Sequence, residues 1–368
     1  MSRYFELNGY SLASVPHTAD IIVVNTCAFE SASERDSLEK IKELQRYTHA
    51  RMIVCGCLPA INKEKLDEIY RGDYFIPRDE ETWSKLDEII HSEVPISNIK
   101  DPSILSHRWK DWKLIGVYKA FGENQDCKAI SGYDENVYHI RISSGCTGNC
   151  SFCAIKFARG YIRSKPVEEI IDEIKKGLEE GYKSFKIWGD DVGDYGVDIN
   201  TDLSALLAEI LKIKKDFELE VLATNPRRLL ELYGFLAPLL EDRRVKWLNI
   251  SIQSGSPKIL RLMRREINLN ALISALKDLK RRAPHLIIRA HYIVGFPQEG
   301  LRDFLYTILF MFRVRVFKYL VWTYDPKPNT EAAEMLGQVS RLRKKTYYYM
   351  LRTWGNLWSH ILEDGKTY

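Results

Sequence analysis

From residue 138 onward, six short apolar runs recur at intervals filled by helical patterns, and this alternation limits the possible fold more than any other feature. The runs are "YHIRISS", "SFKIWG", "EVLAT", "VKWLNISI", "LIIRAHYIVG" and "VFKYLVWTY". Between the first two lies "KPVEEIIDEIKKGLEEG", where Pro166 suits a first helical position and Gly181 a stop. Val167, Ile170, Ile171, Ile174 and Leu178 share one helical face. Strands alternating with helices predict an α/β fold with a parallel sheet, and right-handed crossovers curl such a sheet toward a barrel. The stretch is too short for eight units, so a partial barrel is expected over residues 136–335.

Residues 1–102 repeat the logic on a smaller scale. "ADIIVVNTC" and "RMIVCGC" read as buried parallel strands, each ending in cysteine. "SASERDSLEKIKELQRY" reads as the helix between them, capped by a serine. Residues 103–135 lack a clean period and are expected to be a linker. Residues 336–368 form a C-terminal helical segment, basic and rich in aromatic residues.

Three cysteines crowd into "ISSGCTGNCSFCAIKFARG", directly after the first strand of the barrel half. The carboxyl ends of strands are where α/β folds place ligands. Soft thiolates select zinc, copper or an iron–sulfur cluster. Zinc sites use four ligands in closely spaced pairs, and no histidine or fourth cysteine stands in local reach. Three thiolates on a four-iron cube would leave one iron open to chelate a small molecule.

The chain has seven cysteines, an odd number, and its N-terminus lacks the apolar core of a signal peptide, so no disulfide framework is expected. No apolar run reaches the length of a membrane span, and a cytoplasmic protein is expected. A net charge of +4 over 368 residues is not a dense nucleic-acid footprint.

The three-cysteine loop resembles that of the radical S-adenosylmethionine superfamily, whose hallmark is this spacing on a partial (β/α)6 TIM-like barrel. More narrowly, the chain resembles the methylthiotransferases, the group of MiaB, RimO and MtaB. "GCTGNCSFCAIKFARGYIRSKP", "GDDVGDYGVD", "NISIQSGSPKILRLMRR" and "YIVGFPQEG" are similar to family segments in the family order. "ADIIVVNTCAF" and "GCLPA" are similar to the family's smaller N-terminal α/β domain. "DVGDYGVDINTDL" is most similar to the archaeal and eukaryotic tRNA branch.

The resemblance implies that Cys146, Cys150 and Cys153 hold a [4Fe-4S] cluster. It implies that S-adenosyl-L-methionine chelates the open iron and is cleaved, by an electron from a flavodoxin- or ferredoxin-type donor, to a 5′-deoxyadenosyl radical. A second iron–sulfur cluster in the N-terminal domain carries the sulfur. Gly189, Asp190 and Asp191 end the second barrel strand, where a carboxylate would suit the methionine ammonium. Gln253 and Ser254 are candidates for cofactor hydroxyls or carboxylate, and Arg163 for the methionine carboxylate. Gly295 would permit close backbone approach to the adenine or ribose. His291 reads as a packed barrel residue, and Tyr347, Tyr348 and Tyr349 as helix packing.

Two departures from the family follow. Its first N-terminal-domain cysteine, in a G-C motif before N-T-C, has no counterpart, while Cys27 and Cys57 match the other two. Cys55 would point to the same side as Cys57 in a regular strand. It either supplies a third thiolate or is an ordinary buried strand residue. A partner protein completing the N-terminal sheet is a further possibility. The family's C-terminal TRAM barrel, which grips RNA, also has no counterpart. A peptide or protein substrate is therefore expected ahead of tRNA; a threonylcarbamoyladenosine tRNA methylthiotransferase, and a radical enzyme without sulfur insertion, are the alternatives.

Overall fold

The computed structural model describes residues 2–76, 80–96, 136–315 and 318–363. The expected linker at 103–135, with Cys127, lies outside them. The chain divides into two units.

The first unit is built on a three-stranded sheet in the order β1 (Ile21–Thr26), β2 (Arg51–Gly56), β3 (Asp73–Tyr74). Its pairings are parallel. Helix Ser31–Leu44 makes the crossover between β1 and β2. Its N-cap is Glu30, with no side-chain cap, rather than the expected serine. Alternation sorts the two apolar strands onto two faces. Ile22, Val24, Met52 and Val54 join one cluster; Ile21, Val23, Ile53 and Cys55 join the other. Burial on both faces explains why both strands read as unbroken apolar runs. Two later segments also belong to this unit, Ala154–Tyr161 and Lys327–Asn329. The second brings Lys327 Nζ within 3.4 Å of Glu34 Oε2, an ion pair with both side chains 4% exposed.

The second unit carries a six-stranded sheet. Its strands are β4 (Val137–Arg141), β7 (Ser184–Trp188), β8 (Glu218–Thr224), β9 (Val245–Gln253), β10 (Ile287–Val294) and β11 (Lys318–Thr323), adjacent in that order. Each strand pairs with its predecessor in sequence, as repeated right-handed βα crossovers require. This is the partial (β/α)6 barrel expected from the alternation. Helices Val167–Glu179, Leu203–Leu211 and Leu269–Arg282 bury apolar stripes. The sheet supplies Phe185, Ile187, Leu219, Val221, Leu248 and Ile250 to the same core. A short antiparallel pair, β5 (Ser143–Ser144) and β6 (Arg163–Ser164), brackets the cysteine loop.

The strand register slips between β8 and β9, and between β9 and β10. Near these slips Ala223 and Gln253 take left-handed φ values of 60° and 71°. Such conformations are uncommon outside glycine and cluster at functional sites. Both lie at or next to the carboxyl ends of their strands.

Candidate functional site

The cysteine loop leaves the end of β5 and is held by carboxylates from the β7 end. Asp190 Oδ2 accepts from the Gly145 N–H at 2.8 Å and from Arg141 Nη2 at 3.2 Å. Asp194 Oδ2 accepts from the Thr147 N–H at 2.9 Å and its hydroxyl at 2.7 Å. Arg228 Nε lies 3.0 Å from Asp194 Oδ1, so this buried carboxylate has a counter-ion. Asp191 Oδ1 accepts from the N–H groups of Gly193 and Asn225, at 3.0 and 3.1 Å, tying the β7 end to the β8 end. Burial, then the charge of Asp194, pushes the Asp191 carboxyl up to about 6.

Two of the thiols, Cys146 and Cys150, face a common gap. A Cβ built on Gly148 would stand 3.1 Å from Cys146 Sγ and 3.9 Å from Cys150 Sγ, so glycine keeps the gap between two sulfurs clear. The Gly148 N–H donates to Cys146 Sγ at 3.1 Å. Arg265 Nε donates to Cys150 Sγ at 3.1 Å, and its Nη1 donates to the Ser251 carbonyl at 3.0 Å. Arg265 thus sets a half-buried positive charge beside the Cys150 sulfur, whereas burial and then the Asp191 charge push the Cys146 thiol up. Cys146 Sγ also lies 3.5 Å from Asp194 Oδ2 and 4.0 Å from Asp191 Oδ2. These three groups are close enough for a single metal ion. Both carboxylates, however, already accept backbone N–H groups, which leaves the sulfurs as the better donors.

At the strand ends that carry this loop, four buried polar atoms lack partners within the protein. Ser143 Oγ, Trp188 Nε1, Thr224 Oγ1 and Gln253 Oε1 are buried and unbonded within the protein. They sit at the carboxyl ends of successive strands. Buried polar groups are ordinarily paired, so such a ring suits a polar ligand.

The expected cofactor residues separate under this geometry. Gln253 ends β9 with its Oε1 free. Ser254 is fully buried; its hydroxyl accepts from the Ser256 N–H at 3.1 Å and lies 3.3 Å from Thr307 Oγ1, so it holds its own turn. Gly189 packs on Ser143, where a Cβ would meet Ser143 Oγ at 2.5 Å. Gly295 has φ +75°, and a Cβ there would lie 2.4 Å from Lys344 Cγ; its close neighbour is helix Arg341–Glu363. Arg163 pairs with Ser144 across β5 and β6, beside the loop. Asp190 and Asp191 position loops through their N–H contacts. Asp194 and Arg265 were missed, although both lie inside motif segments quoted above. Asp194 is a charged residue in the glycine-rich stretch after β7; Arg265 follows helix Pro257–Leu262 and carries no local signal.

In the first unit, Cys27 and Cys57 follow directly on β1 and β2, whose last residues Thr26 and Gly56 are register partners. The Cys57 N–H donates to the Thr26 carbonyl at 2.9 Å. Cys55 does not join them. It is 1% exposed among Tyr4, Ile53, Phe75 and Leu86, whereas Cys57 packs on the opposite cluster. The same-side expectation fails because Gly56 has φ +98° and breaks the strand alternation. Cys55 is a buried strand residue whose thiol burial pushes up to about 12.

The family model for the radical SAM superfamily matches residues 140–311, and that for the uncharacterized protein family UPF0004 matches residues 1–76. A protein of Pyrococcus abyssi named "Probable threonylcarbamoyladenosine tRNA methylthiotransferase" is 32% identical over 337 residues, 91% of this chain and 75% of that protein. The "Ribosomal protein uS12 methylthiotransferase RimO" of Clostridium botulinum is 30% identical over 345 residues, 92% of this chain and 74% of its own. Among solved structures, the radical S-adenosylmethionine methyltransferase TsrM of Kitasatospora setae aligns with a TM-score of 0.61 at 13% identity. That alignment covers 85% of this chain and 63% of TsrM, and it bears on the fold alone. The cofactors of this chain are those of the radical SAM superfamily, a [4Fe-4S] cluster and S-adenosyl-L-methionine. With the cysteine loop, the barrel and these relatives in agreement, the chain belongs to the radical S-adenosylmethionine methylthiotransferases, enzymes that form C–S bonds.

Proposed function

We propose that this chain is a tRNA methylthiotransferase of the threonylcarbamoyladenosine type. The observation that carries the substrate is the 32% identity, over 91% of the chain, to the Pyrococcus relative of that name. A Xenopus laevis relative named for the same activity is 30% identical over 344 residues. The expected preference for a peptide substrate has no support among these relatives and gives way to tRNA. A protein substrate is the second reading, favoured by the RimO relatives at 29–30% identity. Among the described residues, no helix is long and apolar enough to cross a membrane.

In this reading Cys146, Cys150 and Cys153 hold the barrel cluster, with Gly148 keeping the gap between Cys146 and Cys150 clear. When bound, the cluster and S-adenosyl-L-methionine supply the one-electron chemistry that opens an unactivated C–H bond. The chain's own residues orient and exclude. Asp190 and Asp194 fix the loop through Gly145 and Thr147. Arg265 sets a positive charge against Cys150. Gln253, Thr224, Trp188 and Ser143 offer hydrogen bonds to the cofactor's polar groups, and Arg163 offers a charge for its carboxylate. Cys27 and Cys57 provide two thiolates for a second cluster at the edge of the small sheet.

The test is anaerobic incubation of reconstituted protein with S-adenosyl-L-methionine, sulfide, reductant and tRNA bearing threonylcarbamoyladenosine. Nucleoside mass spectrometry should find that nucleoside with a methylthio group in place of one hydrogen. Unchanged RNA beside a methylthiolated uS12 peptide would replace this reading with the second.

A further inference from the structure

The inner face of the barrel sheet is polar along much of its length, unlike the branched apolar layers that fill a closed barrel. Alternation along the strands places Lys186, Glu220, Trp247, Asn249, Arg289 and His291 on it. Leu248, Ile250 and Ile288 face the helices and are buried. Lys186 Nζ lies 3.2 Å from Glu220 Oε2, so these two charges neutralise each other. Arg289 feels the charge of Glu220 only at longer range. Its guanidinium stacks 4.5 Å over the Trp247 ring and makes no hydrogen bond or close ion pair among the described residues.

Two further groups flank it. Asn249 is the register partner of Arg289 across β9 and β10. It is 3% exposed, and its Oδ1 is buried without a partner. His291, two residues along β10, has its Nε2 buried and unpartnered. Burial, then the Arg289 charge, pushes His291 down to about 4, so the ring is neutral at pH 7 and offers one donor and one acceptor. A half-buried cation held flat on an indole is preorganised for a planar anion. An orphan amide oxygen beside it calls for a donor. The complementary ligand therefore carries a carboxylate and a nearby O–H or N–H.

A threonine joined through its amino nitrogen to a carbamoyl group keeps a free carboxylate, a hydroxyl and N–H donors. We propose that Arg289, Asn249 and His291 form the recognition site for the threonyl group of the substrate nucleoside, with Arg289 on the carboxylate and Asn249 on the hydroxyl or carbamoyl N–H. The assignment rests on the tRNA reading above.

The experiment is equilibrium binding of holoenzyme to two anticodon stem-loop RNAs, identical except that one bears threonylcarbamoyladenosine and the other adenosine. S-adenosyl-L-methionine affinity is measured in parallel. Wild type should prefer the modified RNA by about tenfold or more, the discrimination a site built around buried polar groups exerts on a ligand lacking them. Arg289→Leu should bring the two RNAs to parity, and so should Asn249→Asp, whose added negative charge would pair with Arg289 and repel the substrate carboxylate, with cofactor affinity unchanged in both; Arg289→Lys should keep part of the preference. If wild type discriminates and both variants still do, the site is wrong. If wild type does not discriminate, the tRNA reading fails and the site with it. If Arg289→Leu instead loses cofactor affinity, the anion is the methionine carboxylate, and the assignment is overturned. Should Arg289→Leu not fold, Asn249→Asp decides between these outcomes.

Discussion

Arg265 Nε donates to Cys150 Sγ across 3.1 Å, joining residues 115 positions apart. An N–H donor and a positive charge on a ligand sulfur favour the reduced, more negative cluster and raise its potential. Arg265→Leu should therefore lower the midpoint potential of the barrel cluster by on the order of tens of millivolts, and Arg265→Lys by less. A redox titration followed by electron paramagnetic resonance reads this directly. A potential unchanged in Arg265→Leu would contradict the role.

Cys55 separates packing from ligation. In a background lacking Cys146, Cys150 and Cys153, Cys55→Ala should leave iron content unchanged and destabilise the protein by about 1 kcal/mol, the cost of a small buried truncation. Cys27→Ala or Cys57→Ala should lower iron in the same background. Iron that falls with Cys55→Ala would return this thiol to the ligand set.

Glu299 gives the fold a pH dependence. Its Oε2 accepts from the N–H groups of Gly295 and Phe296, and burial pushes its carboxyl from 4.5 up to about 7. The folded state thus holds a proton that the unfolded state releases. That contribution to stability is complete below pH 4.5 and is lost as pH rises through 7. From about pH 5 to about pH 8, wild type should lose roughly 1–3 kcal/mol that Glu299→Gln retains. Denaturant unfolding at the two pH values measures it; parallel losses in both proteins would refute the burial argument.

The sheet was legible because its determinants are local. "VKWLNISI" and "LIIRAHYIVG" carry the composition of buried strands, and they form β9 and β10. The stripe Ile170, Ile174 of helix Val167–Glu179 is buried as its spacing predicts. The cysteine loop was legible because its ligand spacing is itself local. The supports of the loop were not. Asp194 reaches Thr147 across 47 positions, and Lys327 reaches Glu34 across 293. Neither pairing leaves a periodic trace in the sequence. Cys55 was misplaced for a different reason. A single glycine, Gly56 at φ +98°, reverses the alternation of a regular strand. At Gly295 the need for space is real, and Lys344 stands closest to where a Cβ would lie.

The most direct measurement of the central claim is 5′-deoxyadenosine formed under anaerobic reduction by wild type and by Cys146→Ala, Cys150→Ala and Cys153→Ala. Each substitution removes one of the three thiols of the loop, and among the described residues no other cysteine follows in it. Wild type should cleave S-adenosyl-L-methionine and all three variants should not. Cleavage at the wild-type rate by any one of them would contradict the assignment of the barrel cluster.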